Sequence, residues 1–231
     1  MKTQVDRNQR AEIHAARYDS GQRDVKMRTL RSFLRDLSGR DVLDAGCGTG
    51  DVSSMCSALG ARVTAIDAYE PMLRKTRDRY NNGFSLIRGS VESLPFDPST
   101  FDLVLSTDVI EHLLDPNAFL REARRVLQPG GHLVVATDNP TNFWVVVKWL
   151  KQPRGRRRRS ESGQRSYRQH FPVRTLKRMA EEAGLRLTRF DTYPDVASVP
   201  AVGKLLEIVG RGPLRRFKWA HALYEFTKQG V

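Results

Sequence analysis

The feature that most constrains this chain is the run Val42-Leu43-Asp44-Ala45-Gly46-Cys47-Gly48-Thr49-Gly50, an apolar strand-like stretch ending in three glycines at alternate positions. Such a run sets a carboxylate at the carboxyl end of a strand and follows it with a loop whose backbone can approach a ligand, since glycine has no Cβ and tolerates positive φ. Glycine-rich loops also serve dinucleotides, so the loop alone does not name its ligand. Asp67, 23 residues beyond Asp44 at the end of the next expected strand, sharpens the reading. A carboxylate at that point can accept both hydroxyls of a ribose. Together the two elements describe an adenosine site, against the plainer alternative that Asp67 caps a helix and the glycines only turn the chain.

The flanking sequence alternates β-branched and amphipathic runs, the rhythm of a parallel sheet covered by helices. Strands are expected over 41–45, 62–66, 84–87, 101–105 and 133–136, with helices over 52–59, 71–80 and 116–127 between them. Beyond these, 173–183 reads as a helix, 185–193 as a sixth strand, and 222–228 as a seventh strand or a helix end. With 231 residues and 39% hydrophobic content, one domain has core enough to fold without staples. Within that domain, 1–37 is expected to be a helical lid, 38–137 the cofactor-binding core, 138–172 an apolar and Arg-rich insertion, and 173–231 a closing helix and strands. The two cysteines, Cys47 and Cys56, form no disulfide or zinc pattern. The polar start and the lack of a long apolar run make a cytoplasmic protein the expectation, neither exported nor membrane-spanning.

Six motifs in order carry a resemblance: the loop just described, Ala65-Ile66-Asp67, Leu94-Pro95-Phe96, Phe101-Asp102-Leu103-Val104, Ile110-Glu111-His112-Leu113 and Leu127-Gln128-Pro129-Gly130-Gly131. Over about 37–193 the chain resembles the class I S-adenosylmethionine-dependent methyltransferases, in the type 11 and ubiquinone-biosynthesis O-methyltransferase branch. That resemblance implies an α/β fold, a Rossmann-like seven-stranded mostly parallel sheet with helices on both faces, and S-adenosylmethionine as cofactor. It implies that Asp44 faces the methionine amino group, that Gly46, Gly48 and Gly50 form the loop along the methionine moiety, and that Asp67 holds the ribose. Ala68 and Met72 would line the adenine pocket, with Val91 and Glu92 framing the ring, and Thr107 would lie near the methionine end. The family often has an acidic residue where this chain has Ser90, a departure that touches the adenine amine contact.

Methyl transfer is an in-line displacement in which the protein chiefly aligns the acceptor, and an oxygen acceptor must also lose a proton. His112 and His170 are the candidate bases; the plainer alternatives are that His112 orients the pocket and that His170 enters a helix. Asp108, Glu111 and His112 match an acidic and histidine cluster that binds metal in some relatives, but Glu-His is widespread in metal-free ones, and no metal is expected. The most individual segment runs from Phe143 to Arg159: Phe143-Trp144-Val145-Val146-Val147-Lys148-Trp149-Leu150, then Arg156, Arg157, Arg158 and Arg159. Residues 148–170 hold nine Lys/Arg against Glu161, so they carry +8 of the net +13. Apolar side chains beside clustered arginine suit an anionic membrane surface, at about 1 kcal/mol per cation. Related enzymes of the ubiquinone branch use an insertion here for membrane contact, so a peripheral position at the inner membrane face and a hydrophobic acceptor are expected. A buried lid helix beside a solvated loop explains the same residues.

The expected function is therefore O-methylation of a small hydrophobic acceptor, quinone-like, lipid-like or a secondary metabolite. One alternative is nucleic-acid methylation through the arginines. It is weakened because Asp138-Asn139-Pro140-Thr141 follows the fifth strand and lacks the second proline and the aromatic residue of amino-methylating enzymes. The other is a non-catalytic cofactor-binding module, which fold alone does not exclude.

Overall fold

A computed structural model of the chain describes residues 20–34, 36–80, 83–138, 169, 171–193 and 221–230. His170, the Phe143 to Arg159 segment, residues 1–19 and the stretch 194–220 lie outside the described residues, so the expectations placed on them are not addressed by the fold.

The elements run α1 (Ser20–Phe33), β1 (Asp41–Ala45), α2 (Asp51–Ala58), β2 (Arg62–Asp67), α3 (Glu70–Tyr80), β3 (Ser85–Arg88), β4 (Phe101–Thr107), a 3-10 turn (Ile110–His112), α4 (Pro116–Val126), β5 (Leu127–Asp138), α5 (Val173–Glu182), β6 (Leu185–Tyr193) and β7 (His221–Lys228). One seven-stranded sheet has the order β3-β2-β1-β4-β5-β7-β6. The β1, β2, β3, β4 and β5 pairings are parallel, and β7 runs antiparallel to both β5 and β6. The expected Rossmann-like, mostly parallel sheet is thus the one observed.

Side chains that alternate along each strand divide the core between the two faces. Leu43, Val104, Val135 and Tyr224 point to one face and pack with Phe119 and Ala123 of α4 and Leu176 of α5. Val42, Leu105, Val134 and Leu223 point to the other and pack with Leu30 and Phe33 of α1 and Cys56 of α2. Helix starts follow local chemistry. Asp115 caps α4 by accepting from Ala118 N at 3.0 Å, with Pro116 in the first turn where no N–H is needed.

Two expectations shift. The Pro129-Gly130-Gly131 turn lies within the span of β5, because Leu127 already pairs with Phe101 before the chain loops out and resumes at His132 opposite Leu103. Residues 222–228, which read from sequence as a strand or a helix end, belong to β7, since ladders on both sides satisfy their backbone. Among the described residues no helix is long and apolar enough to cross a membrane.

Tyr224 is fully buried and its hydroxyl has no hydrogen-bond partner. An unsatisfied buried hydroxyl costs about 1–3 kcal/mol, so Tyr224→Phe is expected to leave stability unchanged or raise it by about 1 kcal/mol. Phe119→Ala, which empties a fully buried site under α4, should lose about 3–5 kcal/mol. Urea denaturation of both variants tests the pair, and a clear loss in Tyr224→Phe would show that the hydroxyl is satisfied.

Candidate active site at the carboxyl edge of the sheet

Between β1 and β4 the sheet reverses its direction of growth, which opens a crevice at the carboxyl ends of the strands. The glycine loop leaves β1 at this point. Its anchors come from β2: Gly46 N and Cys47 N both donate to Ile66 O, at 2.8 and 3.0 Å. Gly48 N donates to Asp67 Oδ2 at 2.9 Å, and Tyr69 N to Asp67 Oδ1 at 2.8 Å. Glycine is required at two of these positions. At Gly46 (φ 82°) a Cβ would lie 2.4 Å from Val109 Cγ2, whereas at Gly48 (φ 53°) it would meet nothing within 4 Å. Open space therefore lies over Gly48, beside the Asp67 carboxylate.

Asp44 stands below this loop with 1% of its surface exposed. Its Oδ2 accepts from Ser53 Oγ at 2.5 Å, while Oδ1 is buried with no hydrogen-bond partner. Burial raises its pKa to about 6 against the opposing pull of Ser53 and of the Lys26 charge. Burial likewise raises Asp67, offset in part by the N–H groups of Tyr69 and Gly48. An orphaned buried oxygen is a position where an ammonium group would be held strongly. The residues present thus fit a ligand with a cation at Asp44 and a diol at Asp67, as S-adenosylmethionine has.

The remaining expected residues spread around the crevice. Gly50 (φ 78°) caps α2, Thr107 ends β4, Ala68 is exposed just past β2, and Met72 is buried in the first turns of α3. Val91 joins the main core cluster, and Glu92 Oε1 accepts from Asp115 N at 2.5 Å, which ties it to the start of α4. His112 is exposed on the 3-10 turn. Its neighbour Glu111 is completely buried; Thr137 Oγ1 donates to its Oε2 at 2.9 Å, and burial, with the charge of Asp108 next, raises its pKa to about 7. Among the described residues, no three His, Cys, Asp or Glu side chains converge in a way suited to a metal ion. Cys47 and Cys56 are free and buried, and burial pushes both thiols well up, which leaves them unreactive.

Lys26 is a contributor that no motif marks. From α1 its Nζ reaches Asp108 Oδ2 at 2.8 Å, 82 residues away in sequence, with 11% of its side chain exposed. It brings a cation to the edge of the crevice. Asp108 itself has φ 57°, a left-handed turn residue directly after β4, and strain of this kind gathers at functional sites.

The raised carboxyls have a consequence for stability. Asp44, Asp67 and Glu111 bind protons more tightly folded than unfolded, so their contribution is fully present below about pH 4 and is lost as pH rises, for Asp44 through about 6 and for Glu111 through about 7. Without ligand, the protein should be more stable at pH 5.5 than at pH 8. For Asp44 the effect is on the order of 2–3 kcal/mol. Comparing thermal midpoints of wild type and Asp44→Asn over this range checks it: the variant should show the shallower pH slope, and equal slopes would refute the assignment.

Residues 43–135 match the family model described as a methyltransferase domain. Over 110 residues the chain is 37% identical to the ubiquinone biosynthesis O-methyltransferase of Methylocella silvestris, covering 46% of this chain and 43% of that protein. Over 138 residues it is 35% identical to the enzyme of the same name from Maricaulis maris, covering 54% and 53%. The chain thus spans about half the length of these relatives. Among solved structures, an S-adenosylmethionine-dependent methyltransferase from Mesorhizobium loti aligns with a TM-score of 0.66 at 21% identity, covering 88% of this chain and 98% of that one. The cyclase SpnF aligns at 0.63 with 19% identity, covering 91% and 82%. A fold shared with a cyclase does not name a reaction. The sequence matches run through the loop, Asp67 and the strands that line the crevice, and on them residues 43–135 are identified as a class I S-adenosylmethionine-dependent methyltransferase domain.

Proposed function

We propose that this chain transfers a methyl group from S-adenosylmethionine to an oxygen of a small hydrophobic acceptor, of the quinone-precursor or lipid-like kind. The observation that carries the reading is the buried Asp44 carboxylate, with its unpartnered Oδ1, below the open side of Gly48 and next to Asp67. Asp44 would hold the cofactor's ammonium group, the Gly46 to Gly50 loop its methionine chain, Asp67 its ribose hydroxyls, and Lys26 would supply positive charge toward its carboxylate. When bound, the cofactor supplies an electrophilic methyl group and leaves as a neutral thioether. The chain's own share is to align the acceptor, exclude water and take a proton from the acceptor oxygen. His112, on the turn beside the crevice, and His170 are the bases read from sequence. The choice of oxygen and of a hydrophobic acceptor rests on the partial relatives named for ubiquinone O-methylation.

Calorimetric titration with S-adenosylmethionine tests the cofactor half. Asp67→Ala should bind at least tenfold more weakly, a loss of about 1.4 kcal/mol, while keeping its far-UV spectrum. Wild-type affinity should also fall as pH drops below about 6, where Asp44 becomes neutral and no longer pairs with a cation. Unchanged affinity in Asp67→Ala would refute the site.

For the segment from Phe143 to Arg159, the apolar run followed by four arginines supports contact with anionic lipid, next to which a hydrophobic acceptor would be found. Replacing Arg156, Arg157, Arg158 and Arg159 by glutamine should abolish flotation with anionic vesicles, and salt should release the wild type. Loss of RNA binding with vesicle binding intact would transfer the arginines to a nucleic-acid substrate.

A further inference from the structure

We infer that Ser53, in the first turn of α2, is a positioning residue for the cofactor: its hydroxyl holds the Asp44 carboxylate ionised and turned so that one oxygen is kept for the ammonium group. The inference rests on the cofactor reading above and deepens it by adding the residue that prepares Asp44. A serine in the first turn of a helix ordinarily hydrogen-bonds to backbone a few residues away or to water. Ser53 does neither. It is fully buried, and its Oγ donates across nine residues to Asp44 Oδ2 at 2.5 Å.

That bond settles two properties of the carboxylate. The first is orientation. The terminal torsion of an aspartate side chain is broad, so an unheld carboxylate does not keep a given oxygen in place. With Oδ2 tied to α2, Oδ1 is the oxygen that stays buried without a hydrogen-bond partner and is left for a cation. The second is charge. Burial is the largest influence on Asp44 and raises its pKa to about 6; the Ser53 hydroxyl is the largest opposing influence, ahead of the Lys26 charge, and the Ser53 backbone N–H adds a weaker pull in the same direction. The hydroxyl thus keeps Asp44 charged at neutral pH where burial alone would favour the neutral acid. A neutral carboxyl has no charge to pair with an ammonium group.

Among the described residues, the other charged and titratable groups that act on Asp44 or feel its charge are Lys26 from α1, Asp67 from β2, Cys47 from the glycine loop and Cys56 from α2. Burial first, and the Asp44 charge after it, push both thiols well up, so they stay neutral through the range in which Asp44 titrates. Lys26 and Asp67 are common to wild type and to any Ser53 variant, so a ratio of affinities between the two cancels their titration. Removing the hydroxyl raises the Asp44 pKa, and the loss of cofactor affinity on acidification then begins at a higher pH.

Two measurements test this. In the ligand-free protein, NMR titration of the Asp44 side-chain carboxyl carbon should give a midpoint near 6 in wild type and one about a pH unit higher in Ser53→Ala, which loses a hydrogen bond to a charged group. By calorimetry, S-adenosylmethionine should bind Ser53→Ala within about threefold of wild type at pH 7.5 and about eightfold more weakly at pH 5.5, the ratio that such a shift in midpoint produces. Ser53→Cys fills the same space with a weak donor and should follow Ser53→Ala in both. The proposal is overturned if the Asp44 midpoint in Ser53→Ala is that of wild type, or if the affinity ratio is equal at the two pH values, as a merely structural serine would give. Wild-type curves in Ser53→Cys would also overturn it, because packing rather than the hydrogen bond would then account for the alanine effect. Failure of the cofactor reading looks different: wild type would bind no S-adenosylmethionine at either pH although the Asp44 midpoint still moves, and the positioning role would fall with that reading.

Discussion

A right-handed crossover between parallel strands fixes which way a sheet grows when its helix lies on a given face. Here α1 and α2 cover one face and α4 and α5 the other, so the sheet extends from β1 through β2 to β3 on one side and from β4 to β5 on the other. Everything chemical follows from that reversal. The loops after β1 and β4 diverge and leave a crevice between them, and the groups with unusual environments, Asp44, Asp67, Asp108 and Glu111, all lie at or just past the carboxyl ends of strands. The antiparallel β7 obeys the same geometry in reverse: its amino-terminal residue, not its last, reaches this edge.

The two edges of the sheet manage charge differently. At the amino-terminal edge, Arg40 pairs with Asp102 and Arg62 with Asp41, all at least partly exposed, and such pairs contribute at most about 1 kcal/mol each. At the carboxyl edge the carboxylates are buried and their pKa values rise, so the folded chain carries unfavourable charge at neutral pH. That stored cost is typical of sites prepared for a ligand, which relieves it by bringing the missing charge. The loop over Asp44 does not relax to cover it, because Ile66 O holds two successive N–H groups and Asp67 holds a third.

Most of the cofactor half was legible in sequence because it is local. Residues 41–72 form one βαβ unit and the start of the next helix, so Asp44, Gly46, Gly48 and Asp67 appear at readable spacing. Strand limits were legible to within one or two residues for the same reason. The exceptions have physical causes. At β7 the run Ala222-Leu223-Tyr224-Glu225-Phe226 has no polar and apolar alternation, because a strand between β5 and β6 with both faces covered has no solvent side to mark it. At β5 the Pro-Gly-Gly signal is real, but the strand pairs on both sides of it. Lys26 was illegible because its partner is 82 residues distant and α1 reads as an ordinary polar helix.

The acceptor half is illegible for a deeper reason. The described groups at that end of the sheet come from α1, the turn after β4, the end of β5, the end of β6 and the start of β7, elements spread from residue 20 to residue 228. The family match runs from residue 43 to residue 135 and stops three residues short of Asp138. The physical reason is general: a site for one shared cofactor can keep one local solution, whereas an acceptor pocket is shaped to its acceptor and follows no common pattern. Where β7 pairs with β5, a single register step would place Ala222 opposite Asp138 and turn the His221 imidazole to the other face of the sheet. What stands beside Asp138 at the carboxyl edge therefore depends on the register of a strand whose sequence pattern says little.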